Sequence, residues 1–229
     1  MKSHETDVVI LAGGMGSRMR GVLPKQLLEV EAGRTVLDLS LSAYQGFSCV
    51  ERIVVVAQED FFQEISTIAS RYSKVWKCVM GGASRQESAL AGVNACQGKY
   101  VLIHDAARPL VSKKAVEACV EKLRAGCLCV NTVFQPPATM VVLKDKKMVS
   151  TMDRDVIALG QCPQGFEREV LLDAHAFAAR NRLVFTDDCS VMLAAGKVGE
   201  VETVEGELSG FKLTYPQDMA ILKIFLAGQ

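Results

Sequence analysis

The chain reads as an α/β protein, a Rossmann-like and mainly parallel twisted sheet flanked by helices, with a projecting β-hairpin arm. Three observations predict this. Short β-branched runs alternate with longer segments of helical period, the pattern of strands joined by crossover helices. The first run, Val8-Val9-Ile10-Leu11, ends in the glycine-rich turn Ala12-Gly13-Gly14-Met15-Gly16. Near residues 134–155 the alternation breaks into two short extended segments about a polar turn.

The strands expected from these runs are Asp7 to Leu11, Arg52 to Ala57, Trp76 to Met80, Tyr100 to His104 and Leu128 to Val133. Between them the 3.6-residue period predicts helices over Val36 to Tyr44, Asp60 to Arg71, Ser84 to Cys96 and Lys113 to Ala125. The last of these carries Ala115, Val116, Cys119, Val120 and Leu123 on one face. After Gln135-Pro136-Pro137, the runs Thr139 to Leu143 and Met148 to Met152 flank Lys144-Asp145-Lys146-Lys147, a hairpin pattern. Helices resume at Arg168 to Arg180 and Asp187 to Ala195, with Thr186 as the expected N-cap of the latter. A strand pair near Glu200 to Val204 and Phe211 to Thr214 precedes a last helix from Pro216 to Leu226.

At 229 residues the chain is long enough for one substantial core, so a single domain is expected over 1–229. Lys and Arg total 26 against 26 Asp and Glu, and 49% of residues are hydrophobic. That balance argues against disorder and against a basic surface of nucleic-acid size, so no nucleic acid is expected as a partner. The eight cysteines are scattered, with no Cys-x-x-Cys pair, and read as reduced small hydrophobes of a cytoplasmic protein. No apolar run reaches the ~18 to 20 residues of a membrane span, and no signal peptide is visible.

The chemistry gathers where strands should end, which in open α/β sheets is where ligands bind. Glycines in the first turn let backbone N–H groups form an anion nest, and Arg18 and Lys25 stand seven positions apart beside it. Gly81-Gly82-Ala83-Ser84-Arg85-Gln86-Glu87-Ser88 reads either as a base- or phosphate-reading turn or as a capping box of Ser84 with Glu87. In His104-Asp105-Ala106-Ala107-Arg108-Pro109, Asp105 suits Mg²⁺ shared with phosphate oxygens, and Arg108 suits a second anion. The alternative is an Asp105–Arg108 ion pair that closes the turn, with His104 a structural partner. Arg154 lies at the base of the hairpin, and Lys212 lies on a short apolar segment that matters only if it returns to the nest.

Taken in order, Ala-Gly-Gly-x-Gly-x-Arg-Met, Pro-Lys-Gln, Gly-Gly-x-x-Arg-x-x-Ser, His-Asp-Ala-Ala-Arg-Pro, Asp-Arg, Pro-Gln-x-Phe, Thr-Asp-Asp and Phe-Lys-Leu-Thr-x-Pro-x-Asp span nearly the whole chain. This series resembles the polyol-phosphate cytidylyltransferases, most of all the 2-C-methyl-D-erythritol 4-phosphate cytidylyltransferase family of the non-mevalonate isoprenoid pathway. The resemblance implies a nucleotidyltransferase fold and transfer of CMP from CTP to a polyol phosphate. It implies that Ala12, Gly13, Gly14 and Gly16 wrap the triphosphate, that Gly82 and Ser88 face cytosine, and that Asp105 binds Mg²⁺ and nucleotide. Arg18, Lys25 and Lys212 would act on the reacting phosphate. Arg108 and Thr139 would touch the polyol phosphate, with Arg154 and Thr186 approaching from the partner of a homodimer whose hairpin arms interlock.

Three positions depart from the family pattern. The hairpin threonine stands in Ala138-Thr139-Met140-Val141 without the usual acidic and basic neighbours, Thr-Pro-Gln appears as Cys162-Pro163-Gln164, and Ala-Ala-Gly appears as Ala12-Gly13-Gly14. The last form is common in ribitol 5-phosphate enzymes, which leaves ribitol 5-phosphate as the alternative acceptor, whereas Thr186-Asp187-Asp188 and the chain length fit the methylerythritol enzymes. A dinucleotide-binding oxidoreductase would need a third glycine where Met19 stands. A non-catalytic nucleotide-binding protein would not require Arg18, Lys25, Asp105 and Lys212 together.

Overall fold

The computed structural model describes residues 5–14, 23–31, 33–197 and 199–228. Gly16 and Arg18, both expected in the nucleotide site, lie outside the described residues. One sheet is formed by seven strands, β1 (Thr6–Leu11), β4 (Arg52–Ala57), β5 (Val75–Met80), β6 (Tyr100–Asp105), β7 (Cys129–Phe134), β10 (Leu159–Glu167) and β11 (Val201–Glu205). Their spatial order is β11-β7-β10-β6-β1-β4-β5. The central strands are buried along nearly their whole length, with apolar middles and polar residues at their ends, because helices cover both faces. Every residue of β4 and β6 is buried.

Helices α1 (Val36–Gly46), α2 (Phe62–Ala69) and α4 (Lys113–Arg124) supply Leu37, Leu41, Ile65, Ile68, Val116 and Val120 to one core cluster. Helices α3 (Arg85–Ala95), α5 (Arg168–Arg180) and α6 (Asp188–Ala194) supply Ala89, Val93, Leu171, Ala174, Val191 and Met192 to the opposite face. A third cluster joins Val30 of β2 (Glu29–Glu31), Val36, Leu110, Leu213 and Leu222 of α7 (Asp218–Ala227). Strand β2 pairs with β3 (Arg34–Thr35) in a small hairpin that no sequence signal announced.

The pairings β1 with β4, β1 with β6, β4 with β5, and β7 with β11 are parallel, as the alternation predicts. Strand β10 is the exception. It inserts antiparallel between β6 and β7, in a segment whose Gly160, Pro163 and Gly165 carry no strand signal. Its register with β7 shifts between Gly160 and Gln164, so the ladder steps around Pro163 there. The projecting arm forms from β8 (Val141–Lys144) and β9 (Lys147–Thr151), every residue of which is exposed.

Two expectations need correction. Phe211 to Thr214 forms no strand. Its one ladder-like tie is the Leu213 N–H to the Ala107 carbonyl at 2.8 Å, because Leu213 is held by the third core cluster rather than by a sheet edge. Thr186 does not cap α6. Asp187 does, accepting from the Ser190 N–H at 3.0 Å.

All eight cysteines are free. No helix among the described residues is long and apolar enough to cross a membrane.

Candidate active site

Parallel pairing sets the chemistry-bearing ends side by side. Leu11 pairs with Val56 on one side and with Asp105 on the other, and Ala57 pairs with Met80. The turns that follow therefore share one rim of the sheet, where they enclose a cavity of about 680 Å³. Gly13, Gly14, Lys25, Gly82, Ser88, Asp105 and Lys212 line it, so most of the expected nucleotide site is assembled in one place. Ala12 is not among its lining. That residue is 1% exposed, its N–H donates to the Val56 carbonyl at 2.8 Å and its carbonyl accepts from the Gln26 side chain.

The glycine pair at 81–82 is enforced by contact. A Cβ on Gly82 would stand 2.3 Å from Cβ of Glu87, so the turn closes directly onto the start of α3. Ser84 caps that helix by accepting from the Glu87 N–H at 3.1 Å. The Glu87 carboxylate reaches one residue further back than a capping box requires, accepting from the Ala83 N–H at 2.9 Å. Ser88 Oγ donates to the Ser84 carbonyl at 2.8 Å and accepts from the Gly82 N–H at 3.2 Å, which aims the hydroxyl at the turn.

Asp105, at the tip of β6, is 8% exposed and meets two cations. Oδ2 accepts from Lys212 Nζ at 2.5 Å, and Oδ1 accepts from Arg85 Nε at 3.4 Å. Burial opposes its ionisation, but Arg85 and Lys212 outweigh burial and hold the carboxyl well below the usual carboxylate range. The expected alternative partner, Arg108, is elsewhere. Its backbone N–H closes the turn onto the Asp105 carbonyl at 2.9 Å, while its guanidinium donates to the carbonyls of Gly210 (2.6 Å) and Gly160 (3.2 Å). His104 is structural, as the sequence suggested. It is 1% exposed, its Nε2 lies 2.9 Å from the Arg108 carbonyl, and burial pushes its pKa down to about 4.

A second cavity of about 360 Å³ opens on the other side of the same cations. Arg108, Thr186, Asn131 and Gln161 line it, and Arg85, Asp105 and Lys212 line both cavities. Thr186, expected to approach from a partner subunit, thus shares this cavity with Arg108 of its own chain, because β10 and the start of α6 bring it there. Thr139, expected to meet the polyol phosphate alongside Arg108, lines neither, and nor does Arg154; both are exposed, on the hairpin stem and in a short 3-10 segment, Arg154–Val156. Arg85 did not stand out in the sequence as a site residue because its motif position also suits a solvated first helical turn. Only the tertiary structure shows that its side chain crosses from the start of α3 to Asp105. Gln26, Gln58 and Gln164 were likewise missed. Gln58 Nε2 donates to the Gly82 carbonyl at 3.0 Å, and Gln164 Nε2 donates to Asn131 Oδ1 at 3.1 Å.

No group of three or more His, Cys, Asp or Glu side chains that would hold a metal is found among the described residues. The donor set instead offers Asp105, an ionised carboxylate at the tip of β6, in a cavity that Glu59, Asp60 and two lysines also line. That composition fits Mg²⁺, which is commonly bound through one or two carboxylates with phosphate oxygens and water as the remaining ligands.

The family model for 2-C-methyl-D-erythritol 4-phosphate cytidylyltransferase matches residues 6–228. The chain is 38% identical over 228 residues to the enzyme of that name from Thermobifida fusca, covering 95% of this chain and 91% of the relative. It is 36% identical over 229 residues to that of Halalkalibacterium halodurans, covering 97% of each. The crystal structure of the Thermus thermophilus enzyme of the same name superposes with a TM-score of 0.79 at 28% identity, covering 96% of this chain and 98% of that one. With a full-length family match and a site assembled at the matching motifs, the chain belongs to the 2-C-methyl-D-erythritol 4-phosphate cytidylyltransferase family.

Proposed function

We propose that this protein transfers CMP from CTP to 2-C-methyl-D-erythritol 4-phosphate, giving CDP-methylerythritol and pyrophosphate, with the nucleotide in the larger cavity and the polyol phosphate in the smaller. The observation that carries this reading is the shared wall, because Arg85, Asp105 and Lys212 line both cavities. Two polyanions that react with each other need cations at their meeting point and nowhere to lose them to solvent.

An oxygen of the acceptor phosphate forms a bond to the α-phosphorus of CTP as the bond from that phosphorus to the bridging oxygen of pyrophosphate breaks. The attacking oxygen is ionised at neutral pH, so no protein base is required. The work left to the chain is alignment and charge. Gly13 and Gly14 let backbone approach the triphosphate, and Lys25 places a buried ammonium beside it. Lys212 exchanges the Asp105 carboxylate for the phosphate under attack. Arg108, already fixed by two backbone carbonyls, takes the acceptor phosphate with Thr186. Gly82 and Ser88 face the base. Asp105 would hold Mg²⁺, which neutralises phosphate charge when bound.

The exposed hairpin supports a homodimer. Leu143, Met148 and Val149 are each more than half exposed on an arm that touches no core cluster, and Thr139 and Arg154 at its base are free to enter a partner's site.

Pyrophosphate release tests the reading, with four nucleoside triphosphates crossed against methylerythritol 4-phosphate, ribitol 5-phosphate and related polyol phosphates. Release is expected with CTP and methylerythritol 4-phosphate. Preference for ribitol 5-phosphate would reassign the acceptor, and no release with CTP and any acceptor would overturn the reading.

A further inference from the structure

Arg85 is clamped between two carboxylates, and only one of them belongs to the cavities. Its Nη1 donates to Asp188 Oδ2 at 2.8 Å, while its Nε reaches Asp105 at 3.4 Å. Asp188 is fully buried, and taking a lone carboxylate out of water costs several kcal/mol. Against that cost the carboxylate has the Arg85 hydrogen bond on Oδ2 and none on Oδ1. The Asp188 N–H donates to Gln164 Oε1 at 3.1 Å. Oδ1 lies 3.3 Å from Nε2 of His175, an electrostatic approach in which neither atom has an aligned hydrogen bond. His175 is itself 1% exposed and projects from α5 with both ring nitrogens unpartnered. An apolar residue at the start of α6 would avoid the penalty altogether, so the pair needs a reason beyond packing.

The reason lies in what Arg85 would do without it. An arginine guanidinium offers five donors and binds phosphate readily. Arg85 lines the larger cavity, a short reach from any triphosphate held there. When Lys212 leaves Asp105 for the reacting phosphate, Arg85 is the side-chain cation that remains on Asp105.

We propose that Asp188, braced by His175, is a positioning residue that keeps Arg85 on Asp105 and off the phosphates of the nucleotide. The proposal rests on the cytidylyltransferase reading above. It assigns the second aspartate of Thr186-Asp187-Asp188 to aligning the reaction rather than to touching substrate.

Asp188→Asn removes the anchor's charge at constant shape. The freed Arg85 is expected to move onto the triphosphate, tightening CTP binding at least threefold by calorimetry while kcat for pyrophosphate release falls at least tenfold. In an Arg85→Gln background the same substitution is expected to change neither quantity by more than twofold, since there is nothing left to anchor. A role in folding alone predicts a lowered melting temperature with kcat per folded molecule and CTP affinity unchanged, and that result would overturn the proposal, as would weakened CTP binding. Should Asp188→Asn fail to fold, His175→Gln keeps both charges and is expected to shift kcat and CTP affinity in the same two directions by about threefold; no shift in either overturns the proposal. A wild-type protein that releases no pyrophosphate sinks the enzymatic reading instead, and the CTP affinities still report where Arg85 sits.

Discussion

Lys25 Nζ donates to the Leu213 carbonyl at 2.8 Å, which joins the loop after the first strand to the residue that follows Lys212. Leu213 is fully buried in the third core cluster, and its N–H is tied to Ala107. Alternation along the chain then turns Lys212 and Thr214 to the larger cavity. This hydrogen bond therefore ties Lys25 to the segment that carries Lys212.

Lys25→Ala removes both the cation and this brace. Turnover is expected to fall at least ~100-fold, the scale of losing one electrostatic contact to a transition state. Stability should fall by about 1–3 kcal/mol, because the Leu213 carbonyl is left without that donor. Pyrophosphate-release kinetics and a denaturant titration check both, and near-normal turnover would count against the mechanism.

The proposed homodimer predicts a coupling of assembly and activity. Introducing Leu143→Glu with Val149→Glu places charge on an exposed apolar arm that makes no core contact. Sedimentation should show a dimer for the wild type and a monomer for the variant. The variant's kcat/KM for the acceptor should fall at least tenfold, because Thr139 and Arg154 leave the partner's site. A dimeric variant, or a monomeric one with full activity, would contradict this assignment.

Folding stability should drain on acidification because of His104. Burial lowers its pKa in the folded protein to about 4, whereas in the unfolded chain it takes up a proton near the ordinary ~6.5. The folded form is thus fully favoured above ~6.5 and loses ground as pH falls toward 4, by about 2 kcal/mol between pH 7 and pH 5. Denaturant titrations across that range should show the slope in the wild type and a flatter one in His104→Gln. Equal slopes would mean that other groups govern the acid limb.

Helix α3 sits close to the sheet at Gly92, where a Cβ would stand 2.3 Å from Cγ1 of Val9 and 2.8 Å from Cγ2 of Val56. Both valines are β-branched and stiff, so Gly92→Ala should destabilise by about 1–3 kcal/mol despite the better helix propensity of alanine. Thermal melting measures it, and an unchanged or raised Tm would show that the helix can lift without cost.

Much of this was legible in the chain. Continuous β-branched runs alternating with helical segments signal buried strands of a mainly parallel sheet, so β1, β4, β6 and β7 and the helices between them follow from local pattern. Polar turns at strand ends likewise announce a site at one rim of the sheet. Strand β10 was illegible because its glycines and proline carry no strand signal, and it forms only since β6 and β7 leave a slot between them. Phe211 to Thr214 misled in the opposite sense. Its apolar alternation is real but is satisfied by the cluster of Val36, Leu110 and Leu222 rather than by a ladder.

The sequence by itself determined where the glycine turns, Lys25, Ser88 and Asp105 fall relative to the strand ends, because motif spacing and residue type are local properties that no packing can change. Only the tertiary structure decided their partners. Asp105 pairs with Arg85 and Lys212 instead of the nearby Arg108, and Arg85 reaches inward to Asp188 on a helix about a hundred residues away. Charges find counter-charges through space, where distance and burial set the energy, and separation along the chain does not.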